Sequence, residues 1–330
     1  MGILSSTRSL LLAAAVASSS LAAAAAAQAE TWVMPTPYPD TRFHTVNVMK
    51  FAEDVKAATN GALQIEVHSG GSLFKHPEIK NAVRSGQAQI GEFLLSNIAN
   101  ENPVYGVDSV PFLASDYDSA YKLWQASKPV IAAALEKEGL VPLYAVAWPP
   151  QGLYSVKPLN SVDDLKGSKF RAYNPATNKI ASLLSAVPTQ IEEPDLPQAF
   201  ATGRVDAMIT SASTGVGVKA WDFVKNFYDV QAWLPKNVIV VNKRAFQKLS
   251  PEVREAVLKA AAEAETRGWQ MSRTERDEKN KALADNGVNV QAPSAQLEAG
   301  LARIGGQMVT EWMVSAGDDG KKIIDAYRAK

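Results

Sequence analysis

The 330-residue chain contains no cysteine. That excludes disulfides, thiolate nucleophiles, cysteine-held metals and a lipid attached through a cysteine, so the fold must be held by its core alone. Histidine is nearly as scarce. His44, His68 and His76 fall in no metal-ligand spacing, and the last two only flank a glycine turn. Catalytic signatures are missing as well. No Gly-x-Ser-x-Gly elbow occurs, and Gly70-Gly71-Ser72-Leu73-Phe74-Lys75 lacks the spacing and the final Ser or Thr of a phosphate loop. The pairs Asp163-Asp164 and Glu192-Glu193 are adjacent, so their side chains point apart and read as solvated surface rather than acid–base couples. Neither charge is in excess, with 34 Lys plus Arg against 34 Asp plus Glu, so no basic field is offered to nucleic acid or anionic lipid.

What is present begins with a targeting pattern. Arg8 is the one charge ahead of an apolar, small-residue stretch from Leu10 to Ala27, and Ala27-Gln28-Ala29 fits a small-x-small cleavage site. Residues 1–29 are therefore read as a removed signal peptide, and the mature chain as free in a bacterial periplasm or secreted. About 300 remaining residues suffice for two domains of ordinary size.

Strand-like and helix-like runs alternate along that mature chain, the α/β pattern. Strands are expected at Thr31–Met34, Leu63–Val67, Gln89–Leu94, Leu140–Trp148, Lys169–Ala172, Thr189–Ile191, Val205–Ile209 and Val238–Asn242. Helices are expected at His44–Thr59, Glu78–Ser85, Ser119–Gly139, Ala176–Ser185, Asp195–Thr202, Pro251–Ala284, Ser294–Trp312 and Lys321–Arg328. Pro149-Pro150-Gln151-Gly152 breaks the pattern and marks a first crossover; Val238–Asn242 marks a second. Gly86-Gln87-Ala88-Gln89-Ile90 and Gly203-Arg204-Val205-Asp206-Ala207 echo one another, each a helix end, a glycine and a strand. Two similar lobes joined by short crossovers give a hinge with the ligand between them. The expected lobes are 30–148 with 238–276, and 149–237 with 277–330.

Arg171 is the most informative residue. It ends a strand-like run just after a Gly turn and just before a loop, in Gly167-Ser168-Lys169-Phe170-Arg171-Ala172-Tyr173-Asn174. A guanidinium there can clamp a carboxylate with paired donors while keeping its charge at any working pH. Aromatics make up only 8% of the chain, so their placement matters. Phe93, Trp148, Tyr154, Tyr173 and Trp233 fall at strand ends or crossovers, where they suit the walls of a cleft.

These residues carry a resemblance. Phe51-Ala52-Glu53-Asp54-Val55 leads to Thr59-Asn60-Gly61, then come Gly70-Gly71-Ser72-Leu73 and Val110-Pro111-Phe112-Leu113. Lys157-Pro158-Leu159 is followed by Asp163-Asp164-Leu165-Lys166-Gly167-x-Lys169-Phe170-Arg171, then Ala199-Phe200-x-x-Gly203-x-Val205-Asp206. Last come Val241-Asn242-Lys243 and Leu249-Ser250-Pro251-Glu252. In this order they resemble the DctP-type solute-binding proteins of tripartite ATP-independent periplasmic (TRAP) transporters, over essentially the whole mature chain. The resemblance implies an α/β, two-lobed periplasmic binding protein fold with a ligand cleft between lobes and a long helix bracing both. It also implies a receptor that is no enzyme, needs no nucleotide or other cofactor, and hands an organic acid to small and large integral membrane subunits. Arg171 would pair the ligand carboxylate. Asn174 and Gln151 would hydrogen-bond the ligand. Thr210, Ser211 and Ser213 would line one wall; Ser96 and Asn97 would come from the first lobe.

Two departures bear on the ligand. Many relatives carry an Asn after the Gly-x-Val-Asp strand, where this chain offers Thr210 or Ser211. Many also carry a second arginine before the Lys-Pro motif, where Trp148-Pro149-Pro150-Gln151-Gly152-Leu153-Tyr154 has no basic residue. One fixed cation suits a monocarboxylate with an apolar or aromatic body, held by Trp148, Tyr154, Phe93 and Trp233 and covered by Tyr38 and Phe43. An ABC-type or signalling receptor and a secreted carboxylic-acid enzyme are the alternatives.

Overall fold

In the computed structural model, which describes residues 29–329, β1 (Glu30–Pro35) and β2 (Leu63–His68) run parallel, with α1 (Phe43–Ala58) crossing between them. The expected leader falls outside the described residues except for Ala29. Helix α1 buries Val48, Phe51, Ala52 and Val55, the face its periodicity marks. Next, α2 (His76–Ser85) ends at Gly86, whose φ of 84° is left-handed, and the chain turns into β3 (Ile90–Leu94). Two short 3₁₀ segments follow, then α3 (Tyr117–Lys137), whose first turn is capped by the Asp116 carboxylate accepting the Asp118 and Ser119 N–H groups at 2.9 Å. After it comes β4 (Leu140–Ala147).

The chain then crosses to the second lobe. Only Trp148–Pro150 lie outside strands, because β5 (Gln151–Ser155) starts inside the stretch expected to break structure. Further elements are β6 (Lys169–Ala172), α4 (Pro175–Leu183), β7 (Val187–Gln190), α5 (Leu196–Ala201), β8 (Ala207–Ser211), α6 (Ala212–Gly217) and β9 (Asn226–Tyr228). The glycine echo is real in the backbone: Gly203 between α5 and β8 is left-handed at φ 63°, as Gly86 is between α2 and β3. Both let a helix stop and a strand begin without strain.

The return crossing ends in β10 (Lys236–Asn242), which lies between β3 and β4, antiparallel to both. The outgoing and returning segments pair, with Trp148 N–H donating to Pro235 O (2.8 Å) and Gln151 N–H to Trp233 O (2.9 Å). After α7 (Lys243–Lys248), the 35-residue α8 (Pro251–Asp285), about 50 Å long, joins the lobes. Its first half packs on the first lobe, where Arg267 reaches Asn47 and Asp54 and Trp269 donates to Ala145 O at 3.0 Å. Its second half reaches the other, where Glu275 accepts the Ser213 hydroxyl at 2.6 Å. The strand β11 (Asn289–Gln291) closes the six-stranded sheet of the second lobe, in the order β11-β9-β5-β8-β6-β7.

The last helix, α9 (Ala295–Ala329), is broken at Gly317 (φ 52°, ψ −135°), in keeping with the two helices expected there. Its start packs on the second lobe, with Gly300 against Val162. Its end does not: Trp312 donates to Pro103 O at 2.8 Å, and Ile323 and Ile324 join the core under α3. Assigning 277–330 entirely to the second lobe therefore needs correction, since the last turns belong with the first.

Asn242 gives the Val-Asn-Lys motif its physical sense. Its Oδ1 accepts the Arg244 and Ala245 N–H groups (3.0 and 3.1 Å), capping α7, while Nδ2 donates to the Val83 and Arg84 carbonyls (2.9 and 3.2 Å) at the end of α2. Asn242→Ala should cost about 1–2 kcal/mol in denaturant unfolding. Asn242→Asp keeps the cap but sets a carboxylate against two carbonyls, and should be less stable still.

Candidate functional site

Strands β3, β6, β7 and β8 all end at the junction of the lobes, the place where α/β sheets bind ligands. A cavity of about 40 Å³ lies there. The first lobe contributes Tyr38, His76, Leu94 and Asn97; the second contributes Arg171, Tyr173, Glu192, Glu193, Thr210, Ser211 and Thr214; Trp148, Gln151 and Pro235 come from the crossings.

Arg171 sits on the cavity wall and is only 4% exposed. Its Nε–H donates to Ile191 O at 3.0 Å, and its guanidinium stacks 4.7 Å from the Tyr173 ring centre. Burial lowers its pKa, with Tyr173, Glu193 and Glu192 opposing, and from so high a starting value the group stays charged. Among the described residues no carboxylate forms an ion pair with it. Tyr173 is fixed in turn, its hydroxyl donating to Gln151 Oε1 at 3.0 Å.

The aromatic wall rests on a buried polar chain. Trp148 Nε1 and the Tyr38 hydroxyl both donate to Asn237 Oδ1 (2.9 and 3.3 Å), and the two rings meet edge-on at 5.1 Å. Asn237 Nδ2 donates to Glu92 Oε1 (2.9 Å), and Thr36 donates to Glu92 Oε2 (2.5 Å). Phe43 and His44 support Trp148 from behind, at 5.6 and 4.4 Å. Burial raises the Glu92 pKa, while burial and then the Arg42 charge hold that of His44 well below the histidine range. The 3.6 Å approach of His44 Nδ1 to Glu92 is thus a contact of two groups both pushed toward neutrality, not an ion pair.

Of the residues expected at the site, Arg171, Gln151, Trp148, Tyr38, Asn97, Thr210 and Ser211 line the cavity. Tyr154 does not. Alternation along β5 turns it away from Gln151 onto Phe227, where its hydroxyl donates to Ser211 O (3.1 Å). The same alternation along β3 turns Phe93 to the opposite face, where it packs in the core and edges an adjoining cavity, and brings Leu94 inward. Trp233 is fully buried in the core, and Phe43 backs Trp148 without reaching the cavity. The Ser213 hydroxyl is spent on Glu275. Asn174 caps α4 through Thr177 N–H (2.8 Å) and donates to Ser96 across the cleft (2.9 Å), so that pair joins the lobes beside the cavity rather than lining it.

Glu192, Glu193 and His76 were not expected at the site. The two glutamates are no solvated pair: both line the cavity, and each meets a basic side chain of the first lobe. Burial raises the Glu192 pKa, but the facing His76 imidazole and then the Arg171 charge outweigh it and hold the carboxyl below the usual range. Their place at the end of β7 was the available signal.

The profile of the bacterial extracellular solute-binding proteins, family 7 (DctP), matches residues 37–308. The chain belongs to this family. Like its other members, it is a periplasmic TRAP-type receptor rather than an enzyme. It is 49% identical to DctP7 of Bordetella pertussis, an extracytoplasmic solute receptor binding pyroglutamic acid, with a TM-score of 0.90 over 91% of this chain and 100% of that one. DctP6 of the same organism, also binding pyroglutamic acid, is 46% identical with a TM-score of 0.89 over the same shares. A marine metagenome TRAP protein specific for pyroglutamate is 42% identical, with a TM-score of 0.90 over 92% of this chain and all of its own. The receptor's family implies work with membrane-embedded TRAP subunits.

Because His44 stays neutral in the fold but takes a proton below about pH 6.5 once unfolded, its contribution to stability is present above that pH and lost as pH falls. The loss approaches about 1.4 kcal/mol per pH unit. Glu92 tilts the other way, so the comparison with a His44→Gln variant isolates the histidine. Stability of that variant between pH 6.5 and 5 should fall less steeply than that of the wild type in denaturant titrations.

Proposed function

We propose that this receptor captures a small cyclic monocarboxylate bearing an N–H donor, and that pyroglutamate, the lactam of glutamate, is that ligand. One observation carries the reading: the cavity presents a single guanidinium, Arg171, alongside two carboxylates, Glu192 and Glu193. The ligand's carboxylate goes to Arg171, whose paired donors match it. A second carboxylate would meet the glutamates with no cation left for it. A lactam N–H would instead find an acceptor, and a lactam carbonyl would find donors among Asn97, Thr210 and Ser211. The aromatic walls, Tyr38, Trp148 and Tyr173, suit the faces of a compact ring. Pyroglutamate-binding relatives at 42–49% identity support the same assignment. Trp148, Tyr38 and Tyr173 supply the apolar contact in this reading; Tyr154 and Phe93 do not.

Isothermal titration against L-pyroglutamate, cyclopentanecarboxylate, L-proline, benzoate and succinate tests it. L-Pyroglutamate should bind tightest, and succinate at least ~100-fold more weakly, as an unpaired buried charge demands. Succinate binding as tightly would sink the assignment. Arg171→Met should abolish measurable binding with little change in the unliganded melting temperature. Arg171→Lys should lose at least ~10-fold, since an ammonium lacks the planar fork.

A further inference from the structure

Two glutamates in a site for an anion call for an explanation. The second lobe by itself offers the cavity Arg171, Glu192 and Glu193, one guanidinium against two carboxylates and a net charge of −1. An anion meeting that half-site alone is repelled. The balance changes from the opposite lobe. Arg42, on the loop leading into α1, sends Nη1 to the Ser213 carbonyl at 2.8 Å and pairs through Nη2 with Glu193 Oε1. The pair is largely buried, with side chains 9% and 14% exposed. Glu193 Oε2 also accepts from the Thr214 hydroxyl at 3.5 Å. His76 sits over the other carboxylate: its Nε2 accepts the Leu94 N–H at 3.0 Å, which leaves Nδ1 facing Glu192 at 3.8 Å.

The place Arg42 occupies is shaped for it. Its guanidinium lies against Gly217 at the end of α6, where a Cβ would stand 2.1 Å from Nη2 and 2.5 Å from Cζ. Any side chain there would push the guanidinium off Glu193. Arg42 does not line the cavity, so it reaches a ligand only through Glu193.

We propose that Arg42 is a closure residue that completes the anion site from across the cleft. Closing the lobes neutralises Glu193 and makes the cavity receptive to a carboxylate; parting them withdraws that charge, and the uncovered glutamate drives the anion out. Ligand retention and lobe closure are thereby one electrostatic event. This rests on the reading above that an organic anion sits at Arg171.

The test compares wild type, Arg42→Met, Arg42→Met with Glu193→Gln, and Gly217→Ala, by titration calorimetry and stopped-flow with L-pyroglutamate. Should the wild type not take L-pyroglutamate, the tightest acid of the five-member panel replaces it; that result overturns the ligand assignment and leaves this test in force. Arg42→Met should weaken binding at least ~10-fold, chiefly through faster dissociation, because the encounter with the open form precedes closure. Adding Glu193→Gln should restore at least half of that loss on a logarithmic scale, which a purely structural role for Arg42 would not allow. Gly217→Ala, with every charge kept, should move dissociation in the same direction, and it decides the matter if Arg42→Met fails to fold. Wild-type affinity in Arg42→Met or Gly217→Ala, or a double variant no better than Arg42→Met, overturns the proposal.

Discussion

A guanidinium that is almost sealed from solvent is the constraint around which this protein is arranged. Arg171 keeps one anchor, the Ile191 carbonyl, and one stacking partner, Tyr173. Burying a cation without a partner is costly. The remainder of the site manages that cost: strand ends converge on it, Gln151 holds Tyr173 in place, and nearby carboxylates moderate its field. The aromatic wall opposite is as firmly held, because Trp148 and Tyr38 share Asn237, which answers to Glu92. A pocket built this way is preorganised, so binding energy is not spent on ordering its side chains.

The titratable groups at the cavity each have a partner: Glu193 has Arg42, Glu192 faces His76, and Tyr173 donates to Gln151. Fixed charges and hydrogen bonds across a cleft can hold and release a solute, and in this family that is the task.

Much of the fold was legible in the sequence, because α1, α3 and α8 carry clear periodicity and caps, and because the glycine echo marks equivalent turns in both lobes. Arg171 was legible from its place at a strand end after a Gly turn. The misreadings have a common cause. Strands β3, β5 and β8 are buried at every position, so hydrophobic pattern cannot say which alternate residues face the cleft. Phe93 and Tyr154 face away from the Arg171 cavity, whereas Gln151, also expected there, and Leu94, which was not, line it. Glu192 and Glu193 were misjudged for a different reason. Their partners lie over a hundred residues away, and nothing local announces a cation delivered from another lobe. The last turns of α9 were misassigned for the same reason, since only Trp312 meeting Pro103 and the packing of Ile323 and Ile324 reveal which lobe they complete.

The position of β10 has a consequence for how the molecule comes into being. It is the middle strand of the three-stranded sheet of the first lobe, yet it follows every strand of the six-stranded sheet except β11. A chain emerging N-terminus first therefore exposes β3 and β4 with a gap between them until residue 242 has appeared. Non-local pairing of this kind is slow and leaves open strand edges exposed. The lobe that is started first is finished late, and the nascent protein depends on being kept from association until its central strand arrives.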